Sequence, residues 1–152
     1  MKSAVLLPDI RSGWNVGSFF RTADSLGIDQ IFLSGFTPKP PHKEISKTAL
    51  DADIFVPWSY FNNSIECATL LKERGYSLVA MELTDDAISL EKFTFPKNAC
   101  LVMGNEITGV SKEMLELCDS VVFIPMKGGK QSMNVSIAGS LGMWEMVKSV
   151  KI

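Results

Sequence analysis

The sequence predicts an α/β fold, a mostly parallel sheet flanked by helices, and three observations predict it. Short apolar runs such as Ala4 to Leu7, Ala99 to Met103 and Val121 to Ile124 show no polar alternation, as strands covered on both faces require. They alternate with segments of helical periodicity, the order that parallel βαβ crossovers impose. The chain has 152 residues, 46% hydrophobic and 21% charged, which suits one domain over residues 1–152, since a separate recognition module would leave each half too small for a good core.

Taken in order, Ala4 to Leu7 reads as a buried strand stopped by Pro8. Asn15 is placed to cap a helix that runs to about Leu26, with Phe19, Phe20, Ala23 and Leu26 at helical spacing and Gly27 as its stop. Asp29 to Leu33 is the second strand. Gly35 to Pro41 holds three prolines, so it is a loop. A short helix over about Glu44 to Leu50 leads to a strand near Ile54 to Val56. Ser64 to Arg74 forms a helix ended by Gly75, and Tyr76 to Leu83 a strand. Between the strands Ala99 to Met103 and Val121 to Ile124 lies a helix over Ser111 to Cys118, with Ser111 as N-cap. The last helix, about Asn134 to Val150, carries Ile137, Leu141, Trp144 and Met146 on a broad apolar surface.

Composition excludes several classes. No run approaches the roughly 20 apolar residues of a membrane span, and the N-terminal apolar stretch is too short for a secretory signal, so the expectation is a soluble cytoplasmic protein. Cys67, Cys100 and Cys118 fit neither a disulfide framework nor a zinc site and read as buried thiols. His42, the single histidine, reads as an exposed turn residue, and no metal is expected. The net charge of -2 gives no global field for a polyanion, which leaves local cations: Arg11, Arg21, Lys39, Lys43, Lys47, Lys127 and Lys130. There is no G-x-G-x-x-G, and Gly104 to Gly109 continues as Val110-Ser111 instead of completing a phosphate loop.

Ligands of parallel sheets collect at the carboxyl ends of the strands. Three loops there concentrate Gly, Asn, Ser and charge: Pro8 to Arg21, Gly104 to Gly109, and Pro125 to Asn134. Their residues carry a resemblance. Asn15-Val16-Gly17-Ser18-Phe19-Phe20-Arg21 is similar to motif 1 (N-x-G-x-x-x-R) of the SpoU (TrmH-type) RNA 2′-O-ribose methyltransferases of the SPOUT superfamily. Gly104-Asn105-Glu106 with Gly109 resembles motif 2, and Ile124-Pro125-Met126 through Ser132-Met133-Asn134-Val135-Ser136 resembles motif 3, with Met133 where leucine is commoner. The three occur in order and span almost the whole chain.

The resemblance implies a fold that element counting alone misses, a C-terminal deep trefoil knot, and a homodimer. It implies S-adenosyl-L-methionine as cofactor, bound around Leu83, Met103, Gly104, Asn105, Gly109, Ile124, Met126, Ser132 and Met133. It implies methyl transfer to a ribose 2′-hydroxyl of RNA, tRNA being preferred over rRNA, with a catalytically silent RNA- or small-molecule-binding dimer as the alternative. Catalytic roles fall on Arg21, Asn15, Glu106, Ser132 and Asn134, and RNA contacts on Arg11, Arg21, Lys39, Lys43, Lys47 and Lys130. Family proposals make the motif 1 arginine a general base. A guanidinium stays protonated at any ordinary pH, so Arg21 is expected to act as a cation on the developing alkoxide and the adjacent phosphate.

Overall fold

The structure, a computed structural model, describes residues 2–148. Among these residues seven parallel strands form one sheet: β1 (Ala4–Pro8), β2 (Gln30–Ser34), β3 (Trp58–Phe61), β4 (Ser77–Met81), β5 (Ile88–Ser89), β6 (Ala99–Val102) and β7 (Ser120–Phe123). Their order across the sheet is β3-β2-β1-β6-β4-β7-β5. Six α-helices cover it: α1 (Gly13–Leu26), α2 (Lys43–Ala49), α3 (Ala52–Phe55), α4 (Ser64–Glu73), α5 (Lys112–Leu117) and α6 (Val135–Lys148).

The two faces of the sheet carry two cores, and the strand residues sort between them by the alternation of the pleat. Val5, Leu7, Ile31, Leu33, Val79 and Leu101 pack with Phe19 and Phe20 of α1 and Met143 and Met146 of α6. Ala4, Leu6, Phe32, Leu78, Ala80 and Val102 pack on the other face with Cys67, Ala68 and Leu71 of α4 and Met114 of α5. Phe19 and Phe20 have no exposed surface, and each such burial contributes roughly 1.5–3 kcal/mol before entropy is counted. Burial pushes the Cys67 and Cys118 thiols up to about 12 and the Cys100 thiol well above its ordinary value, which leaves all three unreactive.

Three expectations change. Asn15 does not cap α1. Ser12 does, its side chain accepting from the Asn15 N–H, and Asn15 sits one turn into the helix with its amide free for other work. Ile54 to Val56 is no strand: Leu50 and Asp51 take left-handed conformations (φ 48° and 75°), the chain winds into α3, and Ile54 and Phe55 face solvent. The strand begins instead at Trp58, where aromatic residues line a half-buried edge. His42 is half-buried and caps α2, its Nδ1 accepting from the Glu44 N–H at 3.2 Å. The two-residue β5 was not expected, and the predicted end of the last helix at Val150 lies outside the described residues.

Gly17, the glycine of the N-x-G pattern, proves to be a packing residue. A Cβ there would lie 2.3 Å from the Ile45 carbonyl oxygen and 2.0 Å from Thr48 Oγ1, so only glycine lets α1 and α2 approach this closely.

Candidate active site

The carboxyl ends of β4, β6 and β7 open onto a cavity of about 580 Å³, with the start of α6 beside it. Parallel pairing of β4 with both neighbours brings three loops together there: Glu82 and Leu83 after β4, Gly104 to Gly109 after β6, and Ile124 to Asn134 after β7. All nine residues assigned to the cofactor, Leu83, Met103, Gly104, Asn105, Gly109, Ile124, Met126, Ser132 and Met133, line it. So do Glu106 and Asn134.

The loop after β6 is closed on itself. Asn105 and Gly109 exchange backbone hydrogen bonds at 3.1 and 3.0 Å, and a Cβ on Gly104 would lie 2.5 Å from the Gly109 carbonyl carbon. Asn105 spends its side chain on holding this shape. Its Nδ2 donates to the Asp9 carbonyl at 2.6 Å, and its Oδ1 accepts from the Ile107 and Thr108 N–H groups at 2.8 and 3.0 Å. Glu82, which sequence reasoning missed, supports the loop from behind: Oε1 accepts from the Val110 N–H at 2.9 Å and Oε2 from the Leu83 N–H at 3.0 Å. An acidic residue directly after an apolar strand was the available signal.

Glu106 ties that loop to α1. Its carboxylate accepts from the Arg11 N–H at 2.9 Å, the Ser12 N–H at 3.0 Å and Asn15 Nδ2 at 3.0 Å, at the positive end of the helix dipole. Partial burial pushes the carboxyl upward. The hydrogen bonds from the Arg11 N–H, the Asn15 amide, its own N–H and the Ser12 N–H outweigh this and hold it below its ordinary value. A carboxylate so satisfied is a weak base and a strong anchor. Asn15 Oδ1 in turn accepts from Asn134 Nδ2 at 3.3 Å, and Asn134 Oδ1 accepts from the Ser136 and Ile137 N–H groups at the start of α6. Glu106, Asn15 and Asn134 thus form one polar chain along the cavity rim.

Arg21 stands apart from it. It lies six residues beyond Asn15 on an exposed face of α1, about 9 Å along the axis at 1.5 Å per residue, and it does not line the cavity. Glu106 and Asn15 bond each other, and Glu106 also accepts from the Arg11 and Ser12 N–H groups. Thr22, next to Arg21, meets Ser140 of α6 at 3.2 Å, which puts Arg21 at the edge of the α1–α6 seam. Lys39 sits over the Tyr60 ring at 4.1 Å, Lys47 over Trp14 at 5.5 Å, and Arg11, Lys43 and Lys130 are exposed on three separate segments.

Residues 2–144 match the family model described as the SpoU rRNA Methylase family. The chain belongs to this family. A SpoU relative from Escherichia coli (strain K12), a tRNA (guanosine(18)-2'-O)-methyltransferase, is 28% identical over 141 residues, 93% of this chain and 61% of the relative. The enzyme of that name from Thermus thermophilus is 30% identical over 141 residues, 93% of this chain and 72% of its own. The chain therefore spans about three-fifths to three-quarters of the length of these curated relatives. Among solved structures, the AdoMet-bound rRNA methyltransferase from Sinorhizobium meliloti superposes with a TM-score of 0.92 at 25% identity, covering 99% of this chain and 57% of that one. The SpoU assignment gives the three loops a common context, since motifs 2 and 3 build the cavity while motif 1 supplies Asn15 to its rim and Gly17 to the packing of α1.

Proposed function

We propose that the protein methylates a ribose 2′-hydroxyl of RNA, with tRNA as substrate and S-adenosyl-L-methionine as methyl donor. The observation that carries this reading is the cavity at the ends of β4, β6 and β7, assembled from motif 2, motif 3 and the β4 loop. Its size falls within the roughly 300–1,000 Å³ of small-molecule sites. The lining suits the cofactor: Leu83, Met103, Ile124, Met126 and Met133 offer apolar surface to an adenosine, and Gly104 lets the loop after β6 close tightly on the Gly109 and Val110 backbone beside it. The names of the two tRNA-methylating relatives support tRNA, and the Sinorhizobium structure supports the cofactor.

S-adenosyl-L-methionine, when bound, supplies an already activated methyl group, so the protein's task is alignment and help with one proton. Ser132 and Asn134 border the cavity where a ribose would enter, and the Glu106–Asn15–Asn134 chain fixes the rim against which it is placed. Glu106 does not take the proton, because its lone pairs are engaged and its basicity is reduced. Arg21 does not take it either, because a guanidinium remains charged. The proton passes to water or an RNA phosphate, while Arg21, which stands off this chain's own cavity at the α1–α6 seam, acts across the proposed dimer, gripping phosphate and stabilising the negative charge that develops in the second copy's site.

The active form is a homodimer. Ile137, Leu141 and Trp144 of α6 are 55%, 43% and 51% exposed, an apolar face suited to a second copy, and Arg21 borders it. The chain after β7 passes the cavity and returns to pack α6 on α1 and β6, a path compatible with a knotted C-terminal segment. A cytoplasmic location accords with an RNA substrate, and no described helix is long and apolar enough to cross a membrane. Calorimetry tests the reading: S-adenosylmethionine should bind with a micromolar dissociation constant, about -8 kcal/mol. A folded protein that shows no binding removes the methyltransferase reading.

A further inference from the structure

A second cavity, of about 340 Å³, adjoins the first, and Asn105 and Gly109 line both, so the loop after β6 is their common wall. It opens at the ends of β1, β2 and β3. Its polar lining includes Asp9, Glu113, Asn62, Thr108 and Ser111, with no lysine or arginine among the described residues. That chemistry repels a phosphate and favours an uncharged group with N–H donors. Phe36, next in sequence to the lining residue Gly35, is 62% exposed, and its N–H donates to Asp9 Oδ1 at 3.0 Å.

The walls are held before any ligand arrives. The Asp9 carbonyl accepts from Asn105 Nδ2, Ser34 Oγ meets Ser64 Oγ at 2.7 Å, and the Tyr60 hydroxyl donates to the Gly35 carbonyl. A preformed, anion-averse pocket with hydrogen-bonding walls and an exposed aromatic one residue from its wall matches a nucleobase, which has a polar edge and a π-face. The geometry points to this cavity as the seat for the base of the nucleotide whose ribose is methylated, an inference that rests on the first cavity being the methyl-transfer site. One nucleoside bridges the shared wall, its base on the Asn62–Glu113 side and its ribose on the Asn134 side. A base that enters such a pocket has left its stack, so the substrate nucleotide is unpaired or flipped.

Methyl transfer to unmodified tRNA, measured against tRNA concentration for wild type, Asn62→Trp, Glu113→Gln and Phe36→Ala, tests this. Asn62→Trp fills the pocket, Glu113→Gln changes only its charge, and Phe36→Ala removes the exposed aromatic beside Gly35. Each should raise the tRNA concentration for half-saturation by about tenfold or more while S-adenosylmethionine affinity stays within about twofold, which also reports on folding. If Asn62→Trp does not fold, the other two decide. Half-saturation within about threefold of wild type in the folded variants overturns the base pocket and leaves the methyltransferase reading intact. A wild type that binds S-adenosylmethionine and tRNA but transfers no methyl overturns the reading itself, and the inference with it.

Discussion

Replacing Glu106 by glutamine keeps the shape of the side chain and removes its charge. The carboxylate accepts from two adjacent backbone N–H groups and from Asn15 Nδ2. Glutamine has one oxygen for these donors, and its own NH2 turns toward at least one of them. Hydrogen bonds to a charged acceptor are worth about 1.5–3 kcal/mol each, and the exposure of Glu106 reduces that, so losing one to two should cost about 1–3 kcal/mol of stability. The effect has a pH signature. The folded carboxyl lies below its ordinary value of 4.5, so the stabilisation is complete above that value and is lost as the pH falls through the lower, folded value. Urea unfolding of wild type and Glu106→Gln should therefore differ most near neutral pH and converge in acid. A difference under about 0.5 kcal/mol near neutrality, or one that persists unchanged in acid, refutes the anchoring role.

Gly104→Val should abolish S-adenosylmethionine binding in calorimetry while far-UV circular dichroism stays native, because the added side chain meets the Gly109 and Val110 backbone at 2.5–2.6 Å. Arg21→Ala should lower single-turnover methyl transfer by about 100- to 1,000-fold and leave cofactor affinity unchanged, and Arg21→Lys separates charge from the planar fork. A rate within about threefold of wild type would remove Arg21 from the reaction. Leu141→Glu on the exposed face of α6 should convert a dimer into a monomer in sedimentation velocity, whereas a wild-type monomer with full activity would contradict the proposed assembly.

The parallel sheet was legible because its inner strands are short unbroken apolar runs between helical segments, and the cavity was legible because three motif loops follow such strands. The misreadings have local causes. Ile54-Phe55-Val56 has strand chemistry, but the left-handed pair Leu50-Asp51 redirects the chain into a helix, and no residue type there announces it. Asn15 and Ser12 are both good N-caps, and sequence does not rank them. The structure does, by giving Asn15 a second partner in Glu106 91 residues away. Arg21 shares the motif 1 pattern with Asn15, and a linear pattern does not show that six residues of helix carry its Cα about 9 Å along α1 from the rim. Glu82 and the second cavity depend on contacts between distant segments, which no local pattern encodes.

The central claim is that the cavity's methyl group ends on a ribose 2′-oxygen of tRNA. Its most direct measurement is to incubate the protein with methyl-labelled S-adenosylmethionine and, separately, unmodified tRNA and rRNA, then digest the RNA and identify labelled nucleosides by mass spectrometry. The account predicts label in tRNA, on a single 2′-O-methylated nucleoside, with the mass increment on the ribose fragment. Label on the base fragment, or in rRNA and not in tRNA, would contradict it.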